Sequence, residues 1–170
     1  MVRAQPFILN LDNNRGSIMA IIDKSSLEVI LLIEDEEDHA RIIKKALKAR
    51  GRLMNNIYWV KDGEEAMEYM LRRGSYNEEN APKPGLILLD IKLPMKNGFD
   101  VLQELKSDEI LKVIPIVMLT TTSNSEDIQR ALKLGANDYI VKPIKFSDFV
   151  EKVGNLGFYW GFISDSRAEI

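Results

Sequence analysis

The stretch Gly85-Leu86-Ile87-Leu88-Leu89-Asp90, followed at once by Ile91-Lys92-Leu93-Pro94-Met95-Lys96-Asn97-Gly98, decides the reading of the fold. Consecutive aliphatic residues after a Pro-Gly break predict a strand buried on both faces, as in a parallel sheet covered by helices. An acid follows directly, and Pro94 with Asn97-Gly98 marks a loop. Asp90 therefore stands at the carboxyl end of a central strand, where open α/β sheets place their ligands. Taken alone, an Asp here is as readily a helix cap or a turn former.

Other strands end in the same manner. Val29–Ile33 runs into Glu34-Asp35-Glu36-Glu37-Asp38, Ile116–Leu119 into Thr120-Thr121-Thr122, and Asp138–Val141 into Lys142-Pro143. As parallel neighbours, these strand ends bring carboxylates, a hydroxyl and an ammonium group to one edge.

The whole chain sets the bounds. A length of 170 residues, 45% apolar and 29% charged, describes one soluble globular domain with a substantial core. A net charge of −3 argues against a nucleic-acid partner, which requires a concentrated basic face. Cysteine is absent, which removes disulfides, thiol catalysis and cysteine metal sites, and the single histidine, His39, removes a multi-histidine metal centre. No apolar run approaches the ~20 residues of a membrane span, and no secretory signal is legible at the N-terminus. A cytoplasmic protein with no membrane partner is expected.

Residues 1–26 read as a flexible N-terminal extension, with Phe7–Leu11 broken by Asn13-Asn14-Arg15-Gly16. A first strand over Leu27–Ile33 leads through the acidic loop into a helix with Ala40, Ile43, Ala46 and Leu47 on one face, closed near Gly51. Ile57–Val60 is a second strand, and Asp62 with Glu65 has capping-box spacing for the next helix. The polar connection between Arg73 and Gly85 is expected to be exposed and mobile. Val101, Leu102 and Leu105 outline a third helix. Ser123 with Glu126 opens a fourth through Leu134, closed by Gly135, and Phe146, Phe149, Val150 and Val153 mark a last one. Strands alternating with helices predict a flavodoxin-like doubly wound parallel sheet of five strands, order 2-1-3-4-5, with helices on both faces. The domain is expected over 27–155. Residues 156–170 form an aromatic end of the last helix and tail, with Phe158, Tyr159, Trp160 and Phe162, and no separate output domain.

The chemistry follows from the strand ends. Glu34, Asp35 and Asp90 crowded together repel one another unless a cation relieves them. With no thiol or paired imidazole available, the natural cation is a hard one held by oxygen, Mg²⁺. Lys142 supplies a fixed positive charge and Thr120 a donor, completing a cradle for a small tetrahedral anion beside a carboxylate nucleophile. Attack of Asp90 on phosphorus would give an aspartyl phosphate.

Ile33-Glu34-Asp35, Leu89-Asp90 with Leu93-Pro94 and Asn97-Gly98, Met118-Leu119-Thr120, and Gly135–Pro143 together resemble the receiver domain of two-component response regulators, over residues 27–155. The resemblance implies a signalling switch in a phosphorelay rather than an enzyme, apart from its own phosphotransfer and slow autodephosphorylation. It implies that Asp90 takes phosphate from a sensor histidine kinase. Asp35, Asp90 and the main-chain carbonyl of Lys92 would bind Mg²⁺, with Glu34 acting through water. Thr120 and Lys142 would hold the phosphoryl group, Tyr139 would be the ring that swings inward, and the Lys142–Pro143 bond would be cis. Lys92 and Thr122 flank the route of an attacking water and should tune hydrolysis. The insertion before the third strand and the aromatic end are similar to single-domain regulators paired with phytochrome-type kinases, which suggests homodimers.

Rival readings fit less well. An aspartyl-phosphate phosphatase would want a second acid where Lys92 stands. A flavodoxin-like carrier would need a Gly- or Ser/Thr-rich phosphate loop where Glu34–Asp38 stands. A phosphorylation-independent scaffold would use the same fold without the transfer.

Overall fold

The computed structural model describes residues 29–48, 56–121 and 124–142. Its elements run β1 (Val29–Ile33), α1 (Glu37–Lys48), β2 (Asn56–Val60), α2 (Gly63–Leu71), β3 (Leu86–Asp90), α3 (Gly98–Ser107), β4 (Ile116–Thr120), α4 (Ser125–Lys133) and β5 (Asp138–Val141). All strand pairs are parallel, and the sheet order β2-β1-β3-β4-β5 is the one expected from the sequence.

The aliphatic runs explain the layering. In β1, β3 and β4 every residue is buried, because alternate side chains leave opposite faces and both faces are covered. Leu31, Ile33, Ile87, Leu89, Ile116 and Met118 meet Ala66, Met67 and Met70 of α2, Val101, Leu102 and Leu105 of α3, and Ala131 of α4. Ile30, Leu32, Leu86, Leu88, Val117, Leu119 and Ile140 meet Ala40, Ile43, Ala46 and Leu47 of α1 on the other face. Truncating any one of the fully buried leucines to alanine would remove about 2–5 kcal/mol, far more than strand propensity contributes. The expected last helix, the N-terminal extension, the Gly51 cap and the aromatic tail lie outside the described residues.

Local signals refine the boundaries. Asp62 caps α2 by accepting from the N–H groups of Glu64 and Glu65 at 2.9 and 2.8 Å. Glu65 does not close a capping box onto Asp62; its carboxylate instead takes the Lys61 N–H at 2.7 Å. The opener of α4 is Asn124 rather than Ser123, its side chain accepting from Glu126 N–H at 3.0 Å, since a carboxamide oxygen caps as well as a hydroxyl. Gly135 follows the helix at φ +97°, as a closing glycine should.

The connection after α2 is exposed over Arg73–Ser75 and Asn77–Asn80, as expected, and carries anchors that its sequence does not announce. Tyr69 donates to the Pro82 carbonyl at 2.9 Å, Tyr76 to Glu65 at 2.8 Å, and Arg72 pairs with Glu78 at 2.7 Å. The ring of Tyr69 sits 5.8 Å from that of Tyr58 and 5.3 Å from that of Tyr76. Burial and the Glu65 contact push the Tyr76 hydroxyl up to about 12, keeping it a donor. Long-range aromatic contacts, invisible in a polar stretch, fasten this segment.

The register carries the functional edge. Ile33 pairs with Leu89, Asp90 with Leu119 and Thr120 with Val141, so Glu34, Asp90, Thr120 and Lys142 emerge side by side. Gly98 seals the loop behind Asp90: its N–H donates to the Ile91 carbonyl at 3.0 Å, and a Cβ there would lie 2.1 Å from the Asp90 carbonyl oxygen. Gly98→Ala must therefore displace the end of β3, with an expected loss of at least about 1–3 kcal/mol in urea denaturation. An unchanged midpoint would show that the loop yields freely.

Candidate functional site

Glu34 lies one residue past β1, yet its main chain stays tied to the sheet. Its N–H donates to the Val60 carbonyl at 3.1 Å, and its carbonyl accepts from the Trp59 indole Nε1 at 2.8 Å. Its side chain is fully buried. Oε2 accepts from Lys142 Nζ at 2.6 Å, while Oε1 faces His39 Nδ1 at 3.3 Å and the Glu36 N–H at 3.4 Å.

Asp90 ends β3 and is 4% exposed. Its Oδ2 accepts from the same Lys142 Nζ at 2.7 Å, and its Oδ1 faces the Lys92 N–H at 3.4 Å. One ammonium thus bridges two buried carboxylates. Burial pushes the Glu34 carboxyl above its ordinary value of 4.5, against the pull of the Lys142 hydrogen bond and charge; Asp90 pushes in the same direction as burial, and His39 opposes it.

Asp35 is exposed at the rim, and Glu34, Asp35 and Asp90 each offer an oxygen such that all lie within 4.8 Å of one another. An all-oxygen donor set with net negative charge and an open side fits a hard divalent cation that keeps part of its water shell. Thr120 ends β4, is buried, and its carbonyl accepts from the Lys142 N–H at 2.6 Å, which carries that residue across to the pocket. The Lys92 side chain is exposed beside the site. Tyr139, paired with Met118 in register, is 36% exposed and stands on the surface. Thr122 and the Lys142–Pro143 bond lie outside the described residues.

The sequence reading missed two neighbours of Glu34. By sequence, His39 is only a lone imidazole and Trp59 only an aromatic residue of the second strand. The one available hint was the spacing of His39 from Glu34, which puts it on the first turn of α1 facing back to the strand tip. Nothing local in Asn56–Val60 signals that an indole reaches across to β1.

Comparison with known proteins identifies the family of the chain. Residues 30–154 match the family described as the response regulator receiver domain. The chain is 36% identical over 133 residues to the probable methanogenesis regulatory protein FilR2 of Methanothrix harundinacea, covering 78% of this chain and 83% of that protein. It is 37% identical to the response regulator Rcp1 of Synechocystis, covering 78% of this chain and 88% of that one. The crystal structure of the Mn²⁺-bound form of Rcp1 superposes with a TM-score of 0.72 at 37% identity, over 78% of this chain and 94% of that chain. The phosphorylated cyanobacterial phytochrome response regulator RcpA gives a TM-score of 0.72 at 41% identity, over 78% and 93% respectively.

The bridging ammonium yields a test. Lys142→Met leaves two buried carboxylates without their cation, an expected loss of about 3–5 kcal/mol at pH 7. A carboxyl whose folded pKa exceeds its unfolded value holds more protons when folded, so stability falls as pH rises through the folded value. Lys142 holds the Glu34 carboxyl down against burial, so its removal raises that folded value further, and the deficit against the parent should shrink as the pH is lowered from 7 in metal-free urea denaturation. A deficit that does not change with pH would mean the carboxylates are not the source of the loss.

Proposed function

The chain belongs to the response regulator receiver family and is a phosphoacceptor switch of two-component signalling, and from this premise we propose that Asp90 is the residue that accepts the phosphoryl group. The observation that carries the assignment is the Lys142 ammonium held at 2.7 Å from Asp90 Oδ2 inside a pocket that Glu34 and Asp35 complete. Sensor histidine kinases are the donors for receiver domains, and a phytochrome-type kinase is the proposed donor here.

Asp90 Oδ attacks phosphorus as the bond from phosphorus to the donor imidazole nitrogen breaks, and the imidazole leaves carrying its electron pair. Asp35, Asp90 and the Lys92 carbonyl, with Glu34 acting through water, would hold Mg²⁺, which would supply charge neutralisation for the transferring oxygens. Lys142 pairs with the phosphoryl group, and the Thr120 hydroxyl donates to it. The added charge of about −1.5 to −2 enters a pocket that is already negative. The two donors are drawn in, the segment after β4 repacks, and Tyr139 turns inward from its surface position. A population shift between two packings then alters the face formed by α4 and β5.

The receiver unit is proposed to span 27–155, with 1–26 and 156–170 flanking it, as a cytoplasmic protein that homodimerises. Among the described residues, no helix is long and apolar enough to cross a membrane. Lys92 and Thr122 are proposed to set the lifetime of the phosphate by lining the path of the attacking water.

Incubation with acetyl phosphate and Mg²⁺ should add one phosphoryl mass, stable in acid and labile in base, that maps to Asp90 and does not form when a chelator is present from the start. Asp90→Asn should abolish it; label persisting in that variant would remove the assignment, and an unlabelled parent would favour a phosphorylation-independent scaffold. Lys92→Ala should hasten loss of the label by up to about tenfold, roughly 1.4 kcal/mol of barrier, when decay is followed after removing the donor.

A further inference from the structure

The main chain that aims Glu34 and Asp35 is fixed by a side chain from the neighbouring strand. In the parallel ladder, Glu34 N–H donates to the Val60 carbonyl at 3.1 Å, and the Glu34 carbonyl would next receive an N–H from Asp62. By that point the chain has left the sheet: the Lys61 N–H turns to Glu65 at 2.7 Å, and Asp62 caps α2. The Trp59 indole takes over, donating to the Glu34 carbonyl at 2.8 Å.

The ring that does so is itself held. Lys44 Nζ, from α1, stands 4.3 Å from the centre of the indole and Lys61 Nζ stands 5.2 Å from it. Trp59 also rests against the core face that includes Ala40 and Ile43. An aromatic donor that lies against α1 and carries Lys44 and Lys61 on its ring is a stiffer support than a main-chain N–H in a loop.

We propose that Trp59 is a positioning residue for the divalent-cation pocket, fixing through its indole N–H the backbone from which Glu34 and Asp35 reach the metal. The inference rests on the assignment of these acids as the Mg²⁺ site. Groups that orient metal ligands without touching the ion commonly govern affinity. Because the indole hydrogen-bonds to a residue of the pocket, filling that pocket must also alter the surroundings of the ring.

The test uses the full chain. The other tryptophan is Trp160, so W160F leaves Trp59 as the sole indole emitter. Titrating Mg²⁺ into metal-free W160F should shift or quench Trp59 emission in step with heat measured by calorimetry on the same protein. Trp59→Phe, which keeps a ring and removes the N–H, should weaken Mg²⁺ affinity about three- to tenfold, the worth of one hydrogen bond. Calorimetric binding with no change in Trp59 emission, or unaltered affinity in Trp59→Phe, would overturn the inference while leaving the site assignment intact. Absence of any Mg²⁺ heat in the parent would instead overturn the site assignment beneath it. Should Trp59→Phe fail to fold, the emission titration of W160F decides alone.

Discussion

Two carboxylates and one ammonium, all withdrawn from solvent, set the terms for this molecule. Lys142 touches Glu34 at 2.6 Å and Asp90 at 2.7 Å, joining residues 108 and 52 positions away in sequence. A buried triad of this composition carries one negative charge too many. Burying an ion is costly unless it is compensated, and an ammonium shared between two acids compensates only one of them. The pocket is therefore a poor contributor to stability and a good receptor for positive charge. A hard cation would relieve the excess, and under the proposed assignment an incoming phosphoryl group would compete for the same lysine. The demand for cation and the capacity to respond to an added anion have one electrostatic origin.

That arrangement exists only because the sheet brings distant segments into register. Ile33 beside Leu89 puts Glu34, the residue after β1, level with Asp90, the last of β3, and Thr120 beside Val141 brings the ends of β4 and β5 level. A slip of one residue in β3 would turn Asp90 to the opposite face and place Leu89 in the pocket. The aliphatic residues of β1, β3 and β4 prevent this, since each is buried on the face it occupies. Gly98 adds a further constraint by bringing α3 so close to the Asp90 carbonyl that no side chain fits. The glycine and the leucines are thus as necessary to the geometry of the site as the acids.

Much of this is legible in the sequence because the information is local. Leu86–Leu89 announces a doubly covered strand by hydrophobicity alone, and Asp62 and Gly135 announce helix ends by side-chain chemistry and backbone freedom. Asp90 and Lys142 could be named because strand ends in a parallel sheet share an edge. What escaped is what depends on side chains meeting across elements. The polar connection after α2 gives no sign that Tyr76 reaches Glu65 or that Tyr69 reaches the Pro82 carbonyl. Trp59 looks like any aromatic strand residue until β2 lies beside β1. The shift of the helix opener from Ser123 to Asn124 has a different cause: both residues are competent caps, and sequence spacing does not rank them.

Burial is distributed unevenly, and the unevenness suits a switch. Helix α1 buries Ala40, Ile43, Ala46 and Leu47; α2 and α3 each bury five residues; α4 buries only Ala131. Strand β5 shows the same thinness, with Ile140 its one buried residue. Elements that bury little apolar area open or shift at small free-energy expense, whereas a close-packed interior resists displacement. Thr120 and Lys142 stand at the junction of these regimes, Thr120 at the end of a fully buried strand and Lys142 just past the least buried one. A force applied at the pocket therefore finds β1 and β3 rigid and α4 and β5 yielding. The direction of any conformational response is decided by where the core is thin.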